Sequence, residues 1–176
     1  LLTQISVGSG TSLFSVVDLL DLKIIHWSND TGTEFNYRDL EFDTDLGRRA
    51  LKARETLIEQ LADLDPIFTE ELLSSEDISK IKSRTLRQSI ARVTQNNLAF
   101  PVLLGSSLRN RGIQPLLTAV VEYLPSPLRR PPLSARSVKT QKQISIPSSV
   151  HSPKGPPIAL AFKVIHDRHK GLIVYA

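Results

Sequence analysis

The chain has 176 residues, 40% of them hydrophobic, no cysteine, and a formal net charge of +4. That length suits one sizeable domain or two smaller pieces of an ordinary globular protein, and the lack of cysteine excludes a disulfide framework, thiolate metal sites and cysteine catalysis. The apolar runs are only a few residues long, against the roughly 20 needed to cross a bilayer, so no transmembrane helix is expected.

Residues 1–7 open the chain in a strand-like pattern and the chain contains no methionine. It therefore reads as a piece of a longer protein, with any import signal lying upstream of Leu1. Across residues 1–28, Val16, Val17, Ile24, Ile25 and Trp27 are sheet formers and Ser9, Gly10 and Thr11 form a turn signal, which predicts two or three strands. Asp45 is placed to cap a helix whose apolar positions Leu46, Ala50, Ala53, Leu57, Leu61 and Leu64 repeat at three- and four-residue spacing. Its opposite face carries Arg48, Lys52, Glu55 and Glu59.

Asp65 and Pro66 read as cap and first residue of a short helix ending near Leu73. Ser74 and Asp77 have capping-box spacing, and Ile78, Ile81, Leu86, Ile90 and Val93 continue an apolar stripe with one irregular step near Ser83, which predicts two helices or a break. Residues 99–104 form a continuous apolar run, the pattern of a strand buried on both faces. The Gly105-Ser106-Ser107 turn follows. A helix then presents Ile113, Leu116, Leu117, Val120 and Leu124 on one side, with Pro115 in its first turn and Pro125 and Pro127 ending it.

Eight of the eleven prolines lie in residues 125–157, together with Arg129, Arg130, Arg136, Lys139, Lys142 and Lys154 and no acid. The segment reads as an extended or disordered linker that holds the basicity of the chain, either a solvated spacer or an electrostatic contact for RNA. It has no interleaved aromatics for base stacking. Residues 158–166 alternate like a strand, 167–171 form a basic turn, and 172–175 begin a second strand.

Among candidate sites, the Gly-Ser-Ser turn is the one a ligand would use, because small molecules bind beyond the carboxyl ends of strands in open α/β sheets. Gly105 permits close backbone approach, Ser106 offers a hydroxyl, and successive main-chain N–H groups can donate to a carbonyl oxygen or an anion. An ordinary connecting loop has the same composition. His166 and His169 stand three apart, but zinc needs three or four ligands and only His26 and His151 remain, so they read as a hairpin tip and no metal is assigned. Asp18 and Asp21 read as strand-ending residues, and Trp27 as a core or rim anchor.

Residues 102–127, VLLGSSLRNRGIQPLLTAVVEYLPSP, resemble the end of the GTPase domain in the elongation factor G family of translational GTPases. Residues 56–68, TLIEQLADLDPIF, resemble a helix of that family's inserted subdomain, and residues 158–171, IALAFKVIHDRHKG, resemble the opening of its second domain. The wording at 62–65 and 162–167 is most similar to the mitochondrial ribosome-recycling branch. The resemblance runs in the same order along most of the chain.

It implies an α/β fold: the C-terminal part of a P-loop GTPase domain with an α+β insertion, then the first strands of a β-barrel domain. The implied divisions are 1–98 inserted subdomain, 99–124 last strand and helix of the GTPase domain, 125–157 linker, and 158–176 start of the second domain. In the family the turn matching Gly105, Ser106 and Ser107 is the last guanine-recognition motif, where a backbone N–H contacts the base, and Ser107 stands in place of the usual Ala. Ser15 stands where the family usually has Gly.

The resemblance further implies GTP as ligand, with Mg2+ and the phosphates bound by a P-loop and switch regions that would precede Leu1. No G-x-x-x-x-G-K-[ST] motif occurs in the sequence. The implied partners are the ribosome, through ribosomal RNA and the stalk protein, and ribosome recycling factor. The implied setting is the mitochondrial matrix, with no membrane partner and a monomeric state. The implied role is recycling of post-termination ribosomes; the alternatives are the translocating enzyme and a non-catalytic ribosome-binding module.

Overall fold

The computed structural model describes residues 1–8, 15–74, 81–126, 129, 132–146 and 159–175. It divides into two compact units, Leu1–Pro125 and Ser126–Ala176. Helices are combined with sheets in which every strand pair is antiparallel. The turn expected at Ser9, Gly10 and Thr11, the residues Asp77 and Ile78, and much of the proline-rich segment lie outside the described residues.

The first unit begins with a four-stranded sheet, β1 (Gln4–Val7), β2 (Ser15–Asp18), β3 (Lys23–Trp27) and β4 (Phe35–Asp39), in that spatial order. Val16, Val17, Ile25 and Trp27 are buried, as β-branched and aromatic residues on a covered face should be. The sequence reading missed β4. All five of its residues are exposed, and its alternation of Phe35 and Tyr37 with Asn36 and Arg38 lacks a buried face. Its pairing with β3 is what makes it a strand. At the position of Ser15 the side-chain hydroxyl pairs with Nδ1 of His26, directly across the ladder at 2.8 Å.

Three helices cover the sheet's inner layer: α1 (Asp45–Leu64), α2 (Pro66–Leu73) and α3 (Ser83–Gln95). The cap of α1 is Thr44 and not Asp45. The Thr44 hydroxyl accepts from the Gly47 N–H at 3.0 Å, while Asp45 is the first helical residue and adds its negative charge to the N-terminal turn. Pro66 does open α2, but the Asp65 carboxylate makes no capping bond because Ser89 and Arg92 occupy it. The irregular step near Ser83 is the start of α3. Leu57, Leu61, Phe68, Leu86, Ile90 and Val93 meet in the core, each adding about 1.5–3 kcal/mol by leaving water.

Residues 99–104 are not a strand buried on both faces. They run extended, joined to the N-terminal segment by one parallel bridge between Leu2 and Val102, and Phe100 and Val102 stay exposed. Val102 bonds to Leu1 and Thr3 on that flank. The helix α4 (Ile113–Tyr123) also departs from its expected orientation. It buries Ala119 and Tyr123, whereas Leu116, Leu117, Val120 and Leu124 are exposed.

The second unit contains two hairpins, β5 (Leu133–Arg136) with β6 (Gln143–Ile146) and β7 (Lys163–Asp167) with β8 (Gly171–Tyr175). Part of the stretch read as linker thus forms a hairpin. Its alternation is masked by Ser and Gln, but Ile144 and Ile146 in β6 face residues of β5 that accept a ladder. In the second hairpin, Asp167 Oδ1 accepts from the N–H groups of His169 and Lys170 and closes the basic turn.

Candidate functional site

The loop after residue 104 is built by backbone closure. Val102 exchanges hydrogen bonds with the N-terminal segment, its N–H donating to the Leu1 carbonyl at 2.7 Å and its carbonyl accepting from the Thr3 N–H at 3.2 Å. One step on, the Leu104 N–H donates to Gln4 Oε1 at 2.9 Å. The loop base is therefore fixed to β1. Ser106 and Arg111 then exchange two main-chain bonds, at 2.8 and 3.1 Å, enclosing a single 3-10 turn over Ser107–Arg109. Gly112 has φ +83°, and a Cβ there would stand 2.5 Å from the Leu104 carbonyl oxygen. A Cβ on Gly105 would likewise stand 2.5 Å from the Arg111 carbonyl oxygen, so both ends of the loop require glycine.

This geometry separates the three predicted site residues by what they have left to offer. The Ser106 N–H is consumed by the Arg111 carbonyl, whereas no hydrogen bond of the Ser107 N–H occurs among the described residues. Ser107 is exposed and Ser106 half-buried. Gly105, Ser106 and Ser107, with Leu103, Arg111, Ile113 and Leu116, line a cavity of about 200 Å³. A complete small-molecule pocket takes roughly 300–1,000 Å³. The cavity is large enough for one edge of a ring system, and the Ser107 N–H can donate to a carbonyl oxygen on that edge.

A second layer holds the loop. The β3–β4 connection, residues 28–34, is closed by Asn29, whose Oδ1 accepts from the Thr33 and Glu34 N–H groups. It lies against the loop: Asn110 Nδ2 donates to the Thr31 carbonyl at 3.2 Å, and Gln114 Nε2 donates to the Gly32 carbonyl at 2.7 Å. Gln114 Oε1 in turn accepts from Trp27 Nε1 at 3.1 Å. Trp27 is buried beside Val16, Ile25 and Leu104, the first of the two roles, core or rim anchor, expected for it.

The other candidates resolve into structural roles. Asp18 ends β2, its Oδ1 accepting from the Leu20 N–H at 2.7 Å. Asp21 is bound bidentately by Arg87, which also reaches Glu122 at 3.2 Å. Burial pushes the Asp18 carboxyl above its ordinary range, and the neighbouring Asp21 charge adds to this. Asp21 is held below its range chiefly by the Arg87 hydrogen bonds. Among the described residues no group of three His, Asp or Glu is placed to hold a metal ion, and no helix is long and apolar enough to cross a membrane.

Sequence periodicity passed over two buried charges. Arg54 lies on the buried face of α1 and donates to the carbonyls of Leu19, Leu20 and Ile81 at 2.6, 2.5 and 2.8 Å. Asp65 accepts from Ser89 Oγ at 2.6 Å and pairs with Arg92 at 2.7 Å. The only sequence signal of Arg54 is a charged residue falling on the apolar stripe of its helix, whereas Asp65 shows in the sequence only as a helix boundary.

No protein-family model matches the chain. Over 99% of its length it is 36% identical to ribosome-releasing factor 2, mitochondrial, of Rattus norvegicus, and covers 21% of that protein. Over 98% of its length it is 36% identical to elongation factor G of Neorickettsia sennetsu and 35% identical to elongation factor G of Thermotoga maritima, covering 24% of each. A crystal structure of a protein from Thermus thermophilus matches 82% of this chain and 22% of its own, with a TM-score of 0.60 at 22% identity, a likeness of fold. The chain is thus homologous to a segment of elongation factor G and of mitochondrial ribosome-releasing factor 2, spanning between a fifth and a quarter of the curated relatives it matches.

Proposed function

We propose that the chain is a segment of a translational GTPase that splits post-termination mitochondrial ribosomes into subunits together with ribosome recycling factor. The carrying observation is the homology along 99% of this chain to a segment of ribosome-releasing factor 2, mitochondrial, combined with a loop at Gly105, Ser106 and Ser107 in which the Ser107 N–H has no hydrogen bond among the described residues. We assign the base end of GTP to the residues present. The cavity accommodates a ring edge, and the Ser107 N–H suits the O6 acceptor of guanine. Gly105 and Ser106 shape that corner, with the Ser106 amide engaged in closing the loop. We assign Mg2+ and the phosphates to residues of the longer protein outside this chain. GTP bound there would hold switch segments ordered for ribosome engagement, and its hydrolysis would let them relax.

The exposed face of α1, with Arg48, Lys52, Glu55 and Glu59, is our candidate surface for the ribosomal stalk. We place the protein in the mitochondrial matrix, as a monomer with no membrane partner. The equal identity to elongation factor G of Neorickettsia sennetsu favours translocation as the second reading. Assays of the full-length protein separate the two. Recycling-factor-dependent splitting of post-termination ribosomes without peptidyl-tRNA translocation supports recycling, and translocation without splitting replaces it. A product lacking the P-loop half that still binds ribosomes would point to the non-catalytic module.

A further inference from the structure

We propose that the β3–β4 turn, residues 28–34, is the positioning element of the base-contacting loop, with Gly32 and Asn110 as its keystones. The inference rests on the reading of Gly105, Ser106 and Ser107 as a guanine corner. The loop's own hydrogen bonds close it between Ser106 and Arg111, but they do not fix its tip, Ser107–Asn110, against the body of the fold. The turn supplies contacts of that kind. Asn110 has φ +52°, a left-handed conformation uncommon outside glycine, and its side chain donates to the Thr31 carbonyl. Gly32 has φ +67° and packs so tightly that a Cβ would fall inside the Arg109 carbonyl oxygen and 2.7 Å from the Asn110 carbonyl carbon.

Gln114 then ties the Gly32 carbonyl to the buried Trp27 indole, so the turn is braced from behind by the sheet core and from the side by the first turn of α4. Asn110 is bonded back to Ser107, its N–H donating to the Ser107 carbonyl at 3.2 Å, which puts the base-facing residue two contacts away from the turn. Displacing Arg109 and Asn110 must move Ser107. A hydrogen bond is lost when its donor is turned away from the acceptor. The turn therefore sets whether the Ser107 amide meets a base oxygen, without touching the ligand.

The test uses the full-length protein with GDP and with the diphosphate of 2-aminopurine riboside, which lacks the 6-oxygen. Gly32→Ala pushes on the loop tip, and Asn110→Gly removes the side-chain tie while keeping the left-handed backbone accessible. The expected result is a preference for GDP over the analogue that shrinks roughly fivefold in both variants, the factor for one hydrogen bond of about 1 kcal/mol, with analogue affinity unchanged and, for Gly32→Ala, a lowered melting temperature. Equal weakening of both ligands marks a merely structural role and overturns the inference, as does an unaltered preference. If Gly32→Ala fails to fold, Asn110→Gly decides. A wild-type protein with no preference for GDP over the analogue defeats the guanine-corner reading itself, a result distinct from either variant outcome.

Discussion

Asp65 keeps its charge inside the helical layer because two donors meet it there. Burial alone would raise its pKa, but the hydrogen bonds from Arg92 and Ser89 outweigh that and hold the carboxyl below its ordinary range. A depressed folded pKa contributes stability that is present above the unfolded value, near 4, and is lost as pH falls through the folded value. Asp18 has the opposite sign. Its raised pKa means that protonation on acidification relieves a desolvation cost, so the two carboxylates oppose one another along the acid limb. Asp65→Asn should lower stability at pH 7 by about 2 kcal/mol, less than the roughly 3–5 of a fully buried broken pair because Arg92 remains partly exposed. Urea unfolding at pH 7 and at pH 3.5 checks this, and the variant's deficit should narrow at the lower pH. The sequence made Asp65 visible only as a helix boundary, since Pro66 follows it. The partners that define its chemistry lie 24 and 27 residues downstream on another helix. Arg54 is the same lesson: counting apolar positions at three- and four-residue spacing finds Ala50 and Leu57 and steps over the arginine between them, whose three carbonyl acceptors belong to distant segments.

Among the elements, α1 and α2 were legible because their signals are local. Apolar spacing and Pro66 gave α2 to its final residue and α1 to within one residue of its cap. The apolar run at 99–104 and α4 were legible as apolar and misassigned in orientation, because periodicity gives a stripe but not what covers it. In α4 the stripe at Leu116, Leu117 and Val120 faces water while Ala119 and Tyr123 face α3, so the helix is apolar around most of its circumference. Such a helix is normally enclosed. The chain spans only 21 to 24% of its relatives, and we propose that the remainder of a longer protein covers this face. Leu117→Gln with Val121→Gln, at positions 60% and 82% exposed, should leave the unfolding free energy of the 176-residue chain within about 0.5 kcal/mol. In the full-length protein the same pair should cost about 2 kcal/mol or more, as for buried side chains. Equal small effects in both would remove the assignment. On α1 the expectation is functional. Replacing Arg48, Lys52, Glu55 and Glu59 by Ser, all on the exposed face, should reduce ribosome-stimulated GTP turnover of the full-length protein several-fold while leaving its unstimulated turnover unchanged. Undiminished stimulation would move the stalk surface elsewhere.

For the whole molecule, the decisive quantity is how much of a nucleotide site one loop can supply. The loop was found in the sequence by its small residues, yet the reason it is a loop of fixed shape was not legible there. It depends on Gln4 from β1, on the turn at residues 28–34 and on Gln114, which are brought together only by the fold. Three residues and a cavity of about 200 Å³ can offer guanine one or two main-chain hydrogen bonds. At about 1 kcal/mol each these leave most of the roughly 8 kcal/mol of a micromolar site to come from elsewhere. In GTPases that larger part comes from the phosphate cradle and its magnesium ion. The 176-residue chain, which carries no P-loop motif, should therefore show no measurable heat of GTP binding by titration calorimetry at about 100 μM protein, while the full-length protein binds stoichiometrically. Micromolar binding by the chain alone would mean that the loop and its cavity form a site in their own right, and the division of the nucleotide between base corner and phosphate cradle would have to be redrawn.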